Sequence, residues 1–111
     1  MPVSTRTMGD GSTVAVDLTG ELDMSSSPEV RSVLVGLVEK KTPRIMLNLG
    51  EMEYIDSSGL ATFVECLQGV KRYGGVLRLY GVGGQIIDVF RLARLDTVFD
   101  IREGEEAAIA E

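Results

Sequence analysis

Between positions 13 and 19 apolar residues recur every second residue, with Val14, Val16 and Leu18 on one face and Ala15, Asp17 and Thr19 on the other. That alternation predicts a strand with one face on a core. Residues 2–8 carry a weaker strand pattern, and Gly9-Asp10-Gly11 between the two segments is a turn signal. The chain is therefore expected to open with an antiparallel hairpin. The period then changes. Ser26 and Glu29 stand at capping-box spacing, and Pro28 suits a first helical turn, where its missing N–H is no loss. Val30, Val33, Leu34, Leu37 and Val38 recur at helical spacing to about Lys41. Thr42-Pro43 stops that helix, because the residue before proline is pushed out of the helical region.

The alternation of element types continues to the end of the chain. Ile45-Met46-Leu47-Asn48-Leu49 is short and mostly apolar, as expected of a strand covered on both faces. Leu60, Phe63, Val64, Leu67 and Val70 make the apolar stripe of a helix predicted from Ser58 to Tyr73, ended by Gly74-Gly75. Val76–Tyr80 is the next strand, and residues 85–94 place Ile86, Val89, Phe90 and Ala93 on one helical face. A short strand at Val98–Ile101 and a helix over 103–110 complete the order β-β-α-β-α-β-α-β-α. This order predicts an α/β fold. Its sheet has four or five strands, mixed but mostly parallel, with an antiparallel hairpin at the start and about four helices.

Length and composition narrow the function. At 111 residues the chain is expected to be one domain over 1–111. Cys66 stands alone, so neither an intramolecular disulfide nor a cysteine zinc site is available, and Cys66 itself is expected in the core. The N-terminus lacks the apolar run of a secretory signal and no apolar stretch is long enough to span a bilayer. A reducing cytoplasm is the expected setting, without membrane insertion. The formal charge of −6 disfavours direct nucleic-acid binding through phosphate contacts and suits a partner with a basic surface. With no histidine at all, Ser-His-Asp and Cys-His catalysis are excluded, so the chain is expected not to be an enzyme.

Candidate chemistry lies in the loops that follow parallel strands at their carboxyl ends. Glu21-Leu22-Asp23 follows the second strand and Tyr54-Ile55-Asp56-Ser57-Ser58 the third; if the two strands are parallel, both loops share one end of the sheet. The second loop delivers two serines to a helix start, where free amides and the dipole favour an anion by ~0.3–1 kcal/mol. A phosphoserine there would carry about −1.5 to −2 charges. Asp56 beside it, and Asp23 if close, oppose that charge by ~1 kcal/mol per pair at ~5 Å in water and ~3 kcal/mol at an effective dielectric near 20. Asp-Ser-Ser before an apolar stripe is equally an N-cap signature, and the two readings are compatible if Ser58 caps while Ser57 faces outward. Gly59 in the first turn permits close backbone packing. Gly81, Gly83 and Gly84 precede a helix, but no Lys-Ser/Thr follows and the Gly-x-Gly-x-x-Gly spacing is not met. No nucleotide or other cofactor is expected.

Taken together, Leu18-Thr19-Gly20-Glu21-Leu22-Asp23, Ile45–Leu49, Tyr54-Ile55-Asp56-Ser57-Ser58-Gly59-Leu60, Tyr73–Leu77 and Phe90–Leu95 resemble the STAS-domain anti-sigma factor antagonists of bacteria over roughly residues 10–102. The resemblance implies that Ser57, the first serine after the aspartate, is phosphorylated by an anti-sigma factor that is itself a serine kinase. It also implies that the unphosphorylated form binds that kinase and frees a sigma factor, and that a serine phosphatase resets the switch. Asp56, Ser58, Gly59 and Leu60 would then flank the acceptor in the partner-binding surface, with Glu21 and Asp23 in the neighbouring loop. Ala61, where many relatives have glycine, and Gly83-Gly84 depart from the family pattern. The alternative is a non-switching STAS subunit of a larger assembly, such as a lipid-transport ABC complex or a stress-signalling scaffold. Retention of Ser57 in an intact motif favours the switch.

Overall fold

The computed structural model describes residues 2–110; Met1 and Glu111, the two ends of the expected 1–111 domain, lie outside it. Its elements run β1 (Val3–Met8), β2 (Thr13–Leu22), α1 (Ser27–Glu39), β3 (Arg44–Ile55), α2 (Ser57–Arg72), β4 (Val76–Tyr80), α3 (Gly84–Leu92), β5 (Asp100–Arg102) and α4 (Glu105–Ile109). The order is the one the periodicity predicts. The strands form one five-stranded sheet in the order β1-β2-β3-β4-β5, with β1 antiparallel to β2 and every later pair parallel.

Each parallel step needs a crossover, and right-handed crossovers advancing in one direction place their helices on one face of the sheet. On that face α1, α2 and α3 cover Val14, Val16 and Leu18 of β2, Ile45, Leu47 and Leu49 of β3, and Leu77 and Leu79 of β4. Phe63, Phe90 and Phe99 fill the centre, with Phe90 stacked at 6.4 Å on Phe63 and edge-on at 5.7 Å to Phe99. Ala93, expected on the buried stripe of the third helix, is instead exposed, because α3 ends at Leu92. No crossover follows β5, so α4 is free to take the opposite face. There it packs Ala108 on Ala15, Met46 and Tyr80, which is why β3 is apolar on both sides.

That second face is otherwise polar and charge-matched. Arg6 donates to Asp17 at 2.6 Å and to Glu105 at 2.7 Å, and Tyr80 donates to the same glutamate at 2.7 Å. Arg78 and Arg102 donate to the carbonyls of Ala108 and Ala107 at 2.8 and 2.9 Å, and Arg44 to that of Ile109. Cationic side chains thus meet the negative end of α4. The Nε of buried Arg78 lies 3.3 Å from the Asp100 carboxylate, near enough for charge attraction but not aligned as a hydrogen bond.

The last strand, expected at Val98–Ile101, is Asp100–Arg102, and of the other boundaries that differ from those the periodicity predicts, two matter for the site. β2 continues to Leu22 and β3 to Ile55, so Glu21, Leu22, Tyr54 and Ile55 belong to strands rather than loops. Beyond Asn48, β3 leaves β4 and pairs with β2 alone. Register shifts between Asp17 and Thr19 and between Gly20 and Glu21 give β3 extra residues relative to β2. Such bulges strengthen the local twist and redirect the chain beyond them. Here they turn a two-stranded ribbon toward the starts of α1 and α2.

Candidate functional site

The ribbon brings the two candidate loops together. Leu22 is paired with Ile55, and the Asp56 amide donates to the Leu22 carbonyl at 3.2 Å, so both loops leave the sheet side by side, as parallel pairing requires. Leu22 and Ile55 are anchored in the core. Gly59 lies against them: a methyl group there would stand 2.8 Å from Leu22 Cγ and 2.8 Å from Ile55 Cγ1. The glycine therefore serves as a close seat for the first turn of α2.

Asp56, rather than either serine, caps that helix. Its carboxylate accepts from the amides of Ser58 at 2.9 Å and Gly59 at 3.3 Å, while the Leu60 amide donates to the Asp56 carbonyl at 3.0 Å. Asp outcompetes Ser here because an ionised oxygen interacts more strongly with the positive helix end. Ser58 supports the cap instead, donating its hydroxyl proton to Asp56 at 2.6 Å and meeting Ser27 of α1 at 3.0 Å. The Ser58 hydroxyl, then the Gly59 and Ser58 amides, hold the Asp56 carboxyl below the usual carboxylate range, and the charge of Asp23 pushes the other way. The expectation of an open anion seat is corrected by the same geometry. Two of the free amides that would cradle a phosphate, those of Ser58 and Gly59, are already taken by the Asp56 carboxylate.

Asp23 organises the other loop. It accepts from the Ser25 hydroxyl at 2.7 Å, the Ser25 amide at 2.9 Å and the Ser26 amide at 3.2 Å, and these bonds lower its pKa, the Ser25 hydroxyl first. The predicted Ser26–Glu29 capping box does not form. Ser26 turns its hydroxyl back onto the Glu21 carbonyl at 2.8 Å, and no side chain caps α1. Both Asp23 and Asp56 stay ionised, on neighbouring turns, with Ser57 exposed as the first residue of α2.

Around Ser57 the surface is mixed. Ser57, Leu60, Ala61 and Val64 of α2 face Ala93 and Leu95 across an open groove of ≈ 540 Å³. Toward α1, Met24, Pro28, Ser58 and Ala61 line a second cleft of ≈ 450 Å³. Glu21 is exposed at the end of β2, whereas Leu60 is mostly buried and reaches only the first groove. Two residues at this site carry no signal in the sequence pattern that would single them out. Met24 is 79% exposed, the signature of an apolar side chain offered outward. Ser27 is buried against Ser58, and only its place in the serine cluster hinted at it. Among the described residues no group of three His, Cys, Asp or Glu side chains is placed to hold a metal ion, and no helix is long and apolar enough to cross a membrane.

This arrangement can be set beside known proteins. The family model described as the STAS domain matches residues 5–108. The anti-sigma-B factor antagonist of Bacillus subtilis is 32% identical over 96 residues, covering 86% of this chain and 87% of the relative. That of Staphylococcus aureus strain NCTC 8325 is 33% identical over 91 residues, covering 82% and 84%. Among solved structures, an anti-sigma factor antagonist from Mycobacterium paratuberculosis superposes with a TM-score of 0.84 at 20% identity, covering 96% of this chain and 91% of that one. The Bacillus cell fate determinant SpoIIAA in its phosphorylated form gives 0.73 at 22%, covering 95% of each chain. The fold is thus one that solved antagonist structures share, and the chain belongs to the STAS domain family.

Proposed function

We propose that this chain, as one STAS domain over 1–111, is a cytoplasmic anti-sigma factor antagonist and not an enzyme. In its unphosphorylated form it sequesters an anti-sigma factor that is also a serine kinase, releasing a sigma factor. Phosphorylation of Ser57 by that kinase ends the complex, and a serine phosphatase restores it. Glu21, Asp23, Asp56, Ser58, Gly59 and Leu60 form or position the binding surface. The likeness to named antagonists at 32–33% identity supports the partner class. Nothing in the fold favours the transporter or scaffold alternative.

The observation that carries the reading is an exposed serine that opens α2 directly after the ionised Asp56 cap, with the Asp23 charge acting on that cap from the neighbouring loop. Because Asp56 already occupies the Ser58 and Gly59 amides, a phosphate on Ser57 gains little from the helix and stands next in the chain to the Asp56 charge. A partner fitted to the neutral hydroxyl then meets about two added negative charges. One unfavourable charge pair costs ~3 kcal/mol in a partly desolvated interface, about a hundredfold in affinity.

Capture from lysate of the native bacterium, with Ser57→Ala and Ser57→Asp as baits, tests it. Ser57→Ala should retain a serine kinase and resist phosphorylation, while Ser57→Asp should retain at least about tenfold less. Equal recovery on both baits would defeat the switch.

A further inference from the structure

Ser27 opens α1 and Ser58 lies in the first turn of α2, yet their hydroxyl oxygens are 3.0 Å apart across the two helix starts. The distance alone leaves the donor open, but proton counting fixes it. A serine hydroxyl has one proton. That of Ser58 goes to the Asp56 carboxylate at 2.6 Å, and an ionised carboxylate can only accept. Ser27 must therefore donate to Ser58. The three groups form a one-way relay from the Ser27 hydroxyl through the Ser58 hydroxyl to the Asp56 carboxylate. Ser27 is only 7% exposed, so little water is available to replace the bond it gives to Ser58.

We propose that Ser27 is a positioning residue that makes the adjacent serines unequal, withholding Ser58 and leaving Ser57 as the phosphoryl acceptor. The proposal rests on the switch reading above. In the transfer, the serine oxygen forms a bond to the γ-phosphorus of a nucleoside triphosphate, the bond to the β-phosphate oxygen breaks, and the diphosphate leaves. The hydroxyl proton passes to a base on the kinase. On Ser58 that proton points into Asp56 and one of the oxygen's two lone pairs is taken by Ser27, so turning the hydroxyl toward a base on the kinase requires releasing both bonds. Ser57, one residue earlier, is exposed at the helix start. A residue on a different helix thus sets which of two neighbouring hydroxyls reacts.

Two measurements test this with the full chain, wild type, Ser27→Ala and Ser27→Thr. The first is a carbon-13 NMR titration of the Asp56 carboxyl, which needs no kinase. Hydrogen bonds in a chain strengthen one another, so Ser27→Ala should move the Asp56 midpoint upward. Ser27→Thr, which keeps the hydroxyl, should restore the wild-type value. Identical midpoints in all three proteins would overturn the relay. The second is phosphosite mapping by mass spectrometry, using ATP and the kinase retained on the Ser57→Ala bait. Wild type and Ser27→Thr should carry phosphate overwhelmingly on Ser57, with a small common fraction on Ser58. Ser27→Ala should raise Ser58 phosphopeptide about fivefold, the weight of one hydrogen bond. Ser58 labelling unchanged in Ser27→Ala would overturn the selection, while a wild type labelled on neither serine would overturn the switch reading and the selection with it. The titration distinguishes these, because the relay stands or falls there without phosphate.

Discussion

Alanine at Gly59 and at Gly36 should move stability in opposite directions, and the gap between them measures how tightly α2 is seated. Both glycines are helical without positive φ, so each substitution gains the same helix propensity, about 1 kcal/mol. At Gly36, in α1, the new methyl meets nothing within 4 Å, and the variant should be more stable by roughly that amount. At Gly59 the methyl arrives 2.8 Å from Leu22 Cγ, 2.8 Å from Ile55 Cγ1 and 3.0 Å from Leu22 Cδ2. Leu22 and Ile55 are 3% and 2% exposed, and the closest Leu22 atom is a branch point, so neither can swing away without disturbing the core. Overpacking of that kind costs ~1–3 kcal/mol. Three close approaches place Gly59→Ala near the upper end, a net loss of about 2 kcal/mol once propensity is subtracted. The two variants should therefore differ by ~3 kcal/mol, on the order of 10 °C in Tm for a domain of this size. Urea titrations with a common slope m measure the difference directly. If Gly59→Ala were stabilised as much as Gly36→Ala, the close seat would not exist, and the fixed aim of Ser57 would lose its structural cause.

The acid limb of stability should depend on the Asp56 cap. Its folded pKa is depressed, so its contribution is fully present above the unfolded value of about 3.9 and is lost as pH falls through the folded value. Asp56→Asn keeps an oxygen for the amides of Ser58 and Gly59 but cannot titrate; the wild-type advantage over it should shrink between about pH 5 and pH 3. A gap in Tm that stays constant over that range would refute the electrostatic account of the cap. Cys66 is 3% exposed and burial pushes its thiol up to about 12, so at pH 8 a thiol reagent should label it only through opening of the fold. Labelling as fast in the folded chain as in urea would contradict that placement.

The order of the elements is legible because each is amphipathic with its own period. Val14, Val16 and Leu18 could not alternate in a helix, nor could Leu60, Phe63, Val64, Leu67 and Val70 sit on one face of a strand. What escaped was length. β3 reads as five residues because Gly50, Glu51 and Glu53 break the apolar pattern, but those residues lie on the exposed side of a ribbon that needs only Leu49, Met52 and Ile55 inward. Bulges supply the phase shifts that a strict period of two cannot follow.

The site divides along the same line between local and distant causes. Asp-Ser-Ser-Gly announces a helix start, and its spacing admits either serine as cap. The choice of Asp56 depends on charge: an ionised oxygen takes the amides, and Ser58 is left to support it. The Ser26–Glu29 spacing misleads for a related reason. Asp23, three residues before Ser26, gathers the Ser25 and Ser26 amides, and the Ser26 hydroxyl donates to the Glu21 carbonyl and accepts from the Asp23 amide instead of an amide of α1. The bond from Ser27 to Ser58 joins residues 31 apart, and it exists only because β2 and β3 run parallel and release their chains at the same edge. No window along the sequence contains both serines, so no local pattern can say that one hydroxyl is held and its neighbour is free. If Ser27 does select the acceptor, the specificity of the Asp-Ser-Ser motif is written partly outside the motif. A chain with the same seven residues but alanine at position 27 should then be a less selective switch.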